Sequence, residues 1–207
     1  MKQQPPRHRT EHDDKVSEQL LTIGHSNHAP DQFVGLLLRH GVTALADVRS
    51  QPYSRRFPHF SRDALKETLR ECGVEYVFLG KELGARTENP ACYRSGKVHY
   101  ALLAMEPTFQ VGLDRLLRGM ANHQIVLMCA ERDPVECHRA VLIARALHDR
   151  AVPVSHILGD GALEPHREME GRMLRLLEIP EGDLLKSRAE CIQEAYEIQG
   201  ERIAYFE

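Results

Sequence analysis

QIVLMCAERDPVECHRAVLIARALHDR, residues 124–150, is the stretch that decides the fold class. Its start, QIVLMCA (124–130), is apolar without alternation, as in a strand buried on both faces. A polar turn follows, and then apolar residues recur at helical spacing. Asp133 stands where an N-cap belongs, Pro134 at the first helical position and Glu136 where a capping box closes. A helix over 133–150 is predicted, with Cys137, His138 and Arg139 in its first turns.

The same strand–turn–helix unit repeats along the chain. LLTIG (20–24), VTALADV (42–48), VEYVFLG (74–80) and VPVSHIL (152–158) read as strands. PDQFVGLLLRHG (30–41) reads as a helix stopped by Gly41. SRDALKETLRECG (61–73) reads as a helix with Ser61 as N-cap and Gly73 past its end. KVHYALLAMEPTFQVGLDRLLRGM (97–120) is helical with a split at Pro107, and EPHREMEGRMLRLLEI (164–179) is helical with core-facing Met and Leu. The predicted class is α/β: an open, mostly parallel, Rossmann-like sheet of about five strands with helices on both faces. Residues 1–18, polar and Pro-rich, read as a disordered N-terminal tail, and 19–180 as a single α/β domain. A break at IPEGD (179–183) precedes a C-terminal helical extension, 181–207, that docks on the core or on another subunit.

With 207 residues, 42% hydrophobic and 28% charged, the composition is that of a soluble protein with a sizeable core. A net charge of −3 excludes a uniformly basic nucleic-acid binder and leaves room for a local basic patch. Five cysteines at irregular spacing do not make a secreted disulfide framework, and the opening residues lack an apolar signal core. No apolar run approaches the roughly 20 residues of a membrane helix. A cytoplasmic location without membrane contact is expected.

Reactive and ion-binding residues gather at the strand ends. His25 and Ser26 follow the first strand, and Asp47, Arg49, Ser54 and Arg55 the second. Lys81 and Arg86 follow the third, Cys129 and Glu131 the fourth, and His156 and Asp160 the fifth. In a parallel sheet these ends share one edge, where open α/β sheets bind ligands. A polar cleft biased towards anions is expected there. TIGHS, DVRSQPYSRRF, FLGKELGAR and CAERDPVECHR, in this order, resemble the bacterial and archaeal family catalogued as domain of unknown function 488, over about residues 20–180. That resemblance implies a compact α/β domain and leaves the reaction to be argued from the residues.

Asp47 and Arg49 lie two apart on one strand face. They are either a functional pair, with a base or ribose ligand beside a phosphate ligand, or an ion pair that pins the loop. PYSRRF, with Tyr53, Arg55, Arg56 and Phe57, suits a phosphate with a stacked base. Four roles compete for CAERDPVECHR. A phosphatase loop lacks the Cys-x5-Arg spacing. A zinc site has an unfamiliar Cys-x7-Cys-His spacing, and neighbours 137 and 138 would point about 100° apart on a helix. A stable cytosolic disulfide is unfavourable. An active-site loop remains: Glu131 as acid/base, His138 as orienter or proton shuttle, and Arg139 as anion anchor. The cysteines then serve as packing, with a Cys129 thiolate nucleophile still open.

The first turn, GHSN, lacks the glycine spacing of a dinucleotide fingerprint, and no Walker-type loop occurs. No cofactor is called for and no metal ligands are assigned. The expected protein acts on a phosphate-bearing ligand, nucleotide or nucleic acid, by hydrolysis or group transfer. Asp47, Glu131, His25, His138 and Cys129 are the catalytic candidates. Arg49, Ser54, Arg55, Arg139, Ser26 and Lys81 are the ligand-binding candidates. Two alternatives stand beside it: a non-catalytic binding module using Arg49 and Arg55, and a thiol or metal protein using Cys129 and Cys137. Self-association through the C-terminal extension is a further expectation.

Overall fold

The computed structural model describes residues 19–182 and 184–207. The tail expected over 1–18 lies outside the described residues. In chain order the elements are β1 (Leu20–Gly24), α1 (Pro30–Arg39), β2 (Ala44–Asp47), α2 (Arg62–Glu71), β3 (Glu75–Phe78) and a single turn α3 (Gly80–Leu83). A small hairpin, β4 (Tyr93–Arg94) with β5 (Lys97–Val98), precedes α4 (Tyr100–Ala104) and α5 (Pro107–Met120). Then come β6 (Ile125–Cys129), α6 (Arg145–His148), β7 (Val154–Ile157), β8 (Leu163–Pro165), α7 (His166–Leu176) and α8 (Arg188–Ile203). The main sheet has the order β3-β2-β6-β1-β7-β8. Its first five strands are parallel, and β8 pairs antiparallel with β7.

Period-two side-chain alternation sorts the sheet residues between two cores. Leu21, Ile23, Leu45, Val126 and Met128 face α1 and α2. Leu20, Ala44, Ala46, Leu127 and Cys129 face α3, α4, α5 and the helix after β6. Both faces of the sheet are therefore covered, as its apolar strands require. Gly41 and Gly73 follow α1 and α2 with φ of +64° and +73°, the left-handed region that ends a helix at little cost. Pro107 does begin a separate helix, α5, after α4, but Lys97 and Val98 at the head of the segment read as helical are strand β5.

Three local expectations are corrected. The sheet has a sixth strand: Leu163–Pro165 opens the segment read as helix from 164. At three residues it is too short to show alternation, and Pro165 is tolerated because the strand is at the edge. Ser61 precedes α2, but its hydroxyl accepts from the Ser54 amide at 3.3 Å rather than capping the helix. The helix over 133–150 is broken. Asp133 does cap a first turn through the Val135 amide, but that turn, Pro134–Glu136, is 3₁₀. Cys137 is extended at φ −137° and ψ 136°. A π-helical turn follows at Arg139–Ala144 before α6 begins. Such π turns recur at functional sites.

The C-terminal helix α8 starts with a complete capping box between Ser187 and Glu190. It buries Cys191, Ala195 and Tyr196 against Met169, Met173 and Val141. Beyond it, the backbone at Tyr205 and Glu207 bonds to Val98 and Gly96 of the small hairpin. No helix among the described residues is long and apolar enough to cross a membrane.

A buried polar chain ties this layer to the sheet. Thr22 Oγ1 lies 2.8 Å from His156 Nδ1, and His156 Nε2 lies 3.0 Å from His166 Nδ1. His166 Nε2 lies 2.8 Å from Tyr196 Oη, which donates to Glu170 at 3.1 Å. One direction satisfies every member, and it requires both histidines neutral. Burial accordingly lowers His156, and it takes His166 down to about 3 with help from His148 and Arg145. An unfolded histidine takes up a proton near 6.5 while these two do not, so the unfolded state binds more protons below that pH. Stability should then fall with pH from about 6.5 towards 3, by about 1.4 kcal/mol per histidine per pH unit. Thermal unfolding between pH 7.5 and 5 checks this, and His166→Gln should flatten the slope.

Candidate active site

The connection from β1 runs to β2 on one side, and the connection from β6 runs to β7 on the other. The crevice beyond their carboxyl ends is where open α/β sheets hold ligands. A cleft of about 890 Å3 opens there. Arg49, Arg56, Arg86 and Arg132 line it with His25 and His138, against two carboxylates, Glu131 and Glu136. Four guanidiniums at a concave surface favour an anionic ligand.

Arg49 is only 6% exposed and is fixed from several sides. Its Nε and Nη2 form a fork on Asp47 at 2.9 and 2.7 Å, and Nη2 also donates to the Phe60 carbonyl at 2.9 Å. Asp47 is fully buried and also accepts from the Arg49 amide and from Tyr76 Oη. Its carboxylate is thus consumed in holding Arg49, and Asp47 is not among the cleft-lining residues. Burial and the adjacent Asp47 both push the Tyr76 hydroxyl well above the ordinary tyrosine range, so Tyr76 remains a donor. The remaining end of Arg49, Nη1, donates to His25 Nε2 at 3.3 Å.

His25 stacks on Phe60 with ring centroids 4.3 Å apart. Its Nδ1 lies 3.0 Å from the Ser26 carbonyl. Burial first, and Arg49 second, lower its pKa to about 4. It is a neutral imidazole that donates from Nδ1 and accepts from Arg49. The amides of His25 and Ser26 are spent on the Cys129 and Ala130 carbonyls at 2.8 and 2.9 Å. Ser26 adopts φ +46°, unusual outside glycine. At these two residues the turn therefore offers side chains rather than backbone donors to an anion.

The CAERDPVECHR loop closes on itself because Cys137 is extended. Its sulfur lies 2.9 Å from Glu131 Oε2, and that of Cys129 lies 3.0 Å from the same oxygen. His138 Nδ1 is 3.6 Å from the Cys129 sulfur and 4.0 Å from the Cys137 sulfur. The ring is oriented by Nε2, which donates to the Val48 carbonyl at 3.1 Å. The ligand atoms of all four residues lie within 4.8 Å of one another, so among the described residues these four could hold a metal ion. The 100° separation expected of Cys137 and His138 does not arise, because Cys137 precedes the helix. The hydrogen bond with Cys137, together with burial, holds Cys129 well above the ordinary thiol range. Burial pushes Cys137 up too, but Cys129, Arg139 and His138 outweigh it and hold Cys137 below that range. Burial of its carboxylate against the sulfurs and the adjacent Cys137 raise Glu131, against a hydrogen bond from Cys129 that lowers it.

Arg139 is fully buried. It donates to the Glu131 and Arg132 carbonyls at 2.7 and 3.1 Å, bracing the loop from behind. Arg172 grips Asp133 at the far end of the turn through two bonds, at 2.8 and 2.9 Å.

The cleft thus brings together His25, Ser26, Arg49, Ser54, Cys129, Glu131 and His138. Asp47 and Arg139 stand behind its wall. Arg56 lines the cleft where Arg55 was expected. Lys81 lines a neighbouring cavity of about 820 Å3 that shares Ser50, Gln51, Arg86 and Tyr205 with the first. Tyr100, Ile203 and Tyr205 were missed. Ile203 and Tyr205 come from the segment read as an extension, and an isolated tyrosine or isoleucine carries no motif. Arg86, whose guanidinium lies over the Tyr205 ring at 4.1 Å, was visible only as a strand-end charge.

Residues 29–147 match the family described as Domain of unknown function DUF488. The match is shorter than the resemblance over about 20–180: it runs from just before α1 into α6, taking in the Arg49 loop and the cysteine loop but not β1 or His25. No curated protein and no solved structure matches the chain.

Proposed function

The chain belongs to the DUF488 family, and from the site built on that domain we propose that it is an enzyme acting on a phosphate-bearing ligand, a nucleotide or nucleic-acid end, by hydrolysis or group transfer. Arg49 is the observation that carries this: a guanidinium almost wholly buried, held rigid by Asp47 and Phe60, whose remaining end, Nη1, meets His25 at the wall of a cleft lined by three more arginines. Such a cation is oriented before any ligand arrives, which is the condition for strong anion binding and for stabilising charge in a transition state. Asp47 acts as a positioning residue. Glu131 supplies an acid/base group beside the anion, and Cys129 and His138 adjoin it. The shared wall between the two cavities suits a ligand longer than one phosphate.

The test is binding of labelled single- and double-stranded oligonucleotides and of nucleoside phosphates at two salt concentrations, followed by assay of bound ligand for cleavage or transfer. Arg56→Ala/Arg86→Ala, at exposed positions, should weaken binding at least tenfold and make it less salt-dependent. Glu131→Gln should bind and not turn over. Tight binding without any turnover by the unmodified protein would reduce the cleft to a non-catalytic binding module. Absence of binding to every phosphate ligand would overturn the proposal.

A further inference from the structure

We propose that Cys129, Glu131, Cys137 and His138 form a binding site for one zinc-type divalent cation in the wall of the cleft. Two thiolates, an imidazole and a carboxylate form a donor set suited to zinc. Tetrahedral zinc with ordinary bond lengths separates neighbouring sulfur, nitrogen and oxygen ligands by about 3.5–3.8 Å. The four sulfur-to-oxygen and sulfur-to-nitrogen distances, 2.9, 3.0, 3.6 and 4.0 Å, bracket that range.

The surroundings fit a metal better than the other uses of two cysteines. Cys129 and Cys137 are 4% and 1% exposed, and a carboxylate oxygen sits against both sulfurs. Three groups that each become anionic share one small, mostly buried volume, and a central cation is what such a set needs. A disulfide would leave Glu131 Oε2 and His138 Nδ1 turned onto sulfurs that no longer need them. A nucleophilic thiol needs one cysteine and gains nothing from a carboxylate against it. His138 also shows the support expected of a ligand: its Nε2 donates to a backbone carbonyl, which leaves Nδ1 for the ion. That carbonyl belongs to Val48, the neighbour of Arg49, so one backbone segment would set both the ion and the anion anchor.

Cys129 is fixed at the end of a central strand. Cys137 and His138 are fixed by the 3₁₀ turn that Arg172 and Arg139 brace from its two sides. Glu131 is the exposed member and the ligand that can yield its position. A zinc ion there would supply a Lewis acid or an activated water. Its part in catalysis rests on the proposed function, whereas its binding does not.

The test reads the ion alone, on the full chain. Elemental analysis of protein purified without chelator, or reloaded with zinc and gel-filtered, should find about one zinc per chain. Cobalt substitution should produce the intense visible bands of a tetrahedral thiolate site. Cys137→Ser and His138→Ala, checked for folding by circular dichroism, should lower zinc affinity at least tenfold, and Glu131→Gln should lower it less. Should the variants fail to fold, thiol labelling of the unmodified protein decides. Zinc should slow alkylation of Cys129 and Cys137 and leave the exposed Cys72 unchanged. A protein that takes up no zinc and shows no protection of the two thiols would overturn the site, whatever it does with phosphate. Zinc binding without any phosphate-ligand binding would uphold the site and sink the proposed function.

Discussion

Arg49→Ala is expected to abolish anion binding and to destabilise the protein by about 3–5 kcal/mol, the range for removing one partner of a buried ion pair. Asp47 is fully buried and receives two side-chain bonds from that guanidinium. Without it, the fully buried carboxylate keeps only the residue-49 amide and Tyr76 as donors. The cost lies in the stranded charge more than in the lost bonds. Asp47→Asn/Arg49→Met should therefore recover most of the stability and none of the anion binding. Urea unfolding and ligand titration on the two variants separate these outcomes. If Arg49→Ala were as stable as the parent, the pair would not be the support assigned to it here. If the double variant still bound phosphate ligands with parental affinity, Arg49 would not be the anchor.

Gly24→Ala is expected to disrupt the site through the backbone alone. A Cβ at Gly24 would lie 1.8 Å from the Glu131 carbonyl oxygen and 2.8 Å from its carbon. That carbonyl cannot retreat freely, because Arg139 holds it at 2.7 Å from behind. Nor can β1 retreat, since it lies between β6 and β7 in the sheet. One methyl group must displace the cysteine loop, at about 3 kcal/mol, the upper end for overpacking. Moving residue 131 separates its carboxylate from both sulfurs, so turnover should be lost and zinc should bind more weakly, as in Glu131→Gln. Urea unfolding and elemental analysis check both parts. Unchanged stability with full zinc uptake would mean that the loop yields without cost. Gly24 is needed for this close approach, while Gly41 and Gly73 serve to end helices.

Local pattern determined a large part of this molecule. Uninterrupted apolar runs of strand length alternating with amphipathic helices required a mostly parallel sheet covered on both faces, and hydrophobic burial enforces that result wherever the strands happen to be placed. The same alternation put His25, Arg49, Cys129 and Glu131 at carboxyl strand ends, because parallel strands share one edge. Strand order, the antiparallel edge strand at Leu163–Pro165 and the return of Tyr205 to the cleft depended on contacts between distant segments, which periodicity does not carry.

Tertiary structure also decided which charges are free. Asp47 and Arg49 are two letters apart in either of their possible roles; only the tertiary structure buries the carboxylate completely, with Tyr76 arriving from β3, and leaves Arg49 at the cleft wall. Asp133 and Pro134 predict a helix start and do form a turn, yet Cys137 is drawn into extended backbone. There the loop's tertiary contacts, Cys137 against Glu131 and Arg139 beneath the Glu131 and Arg132 carbonyls, accompany a departure from helix propensity, a weak local preference that tertiary contacts override.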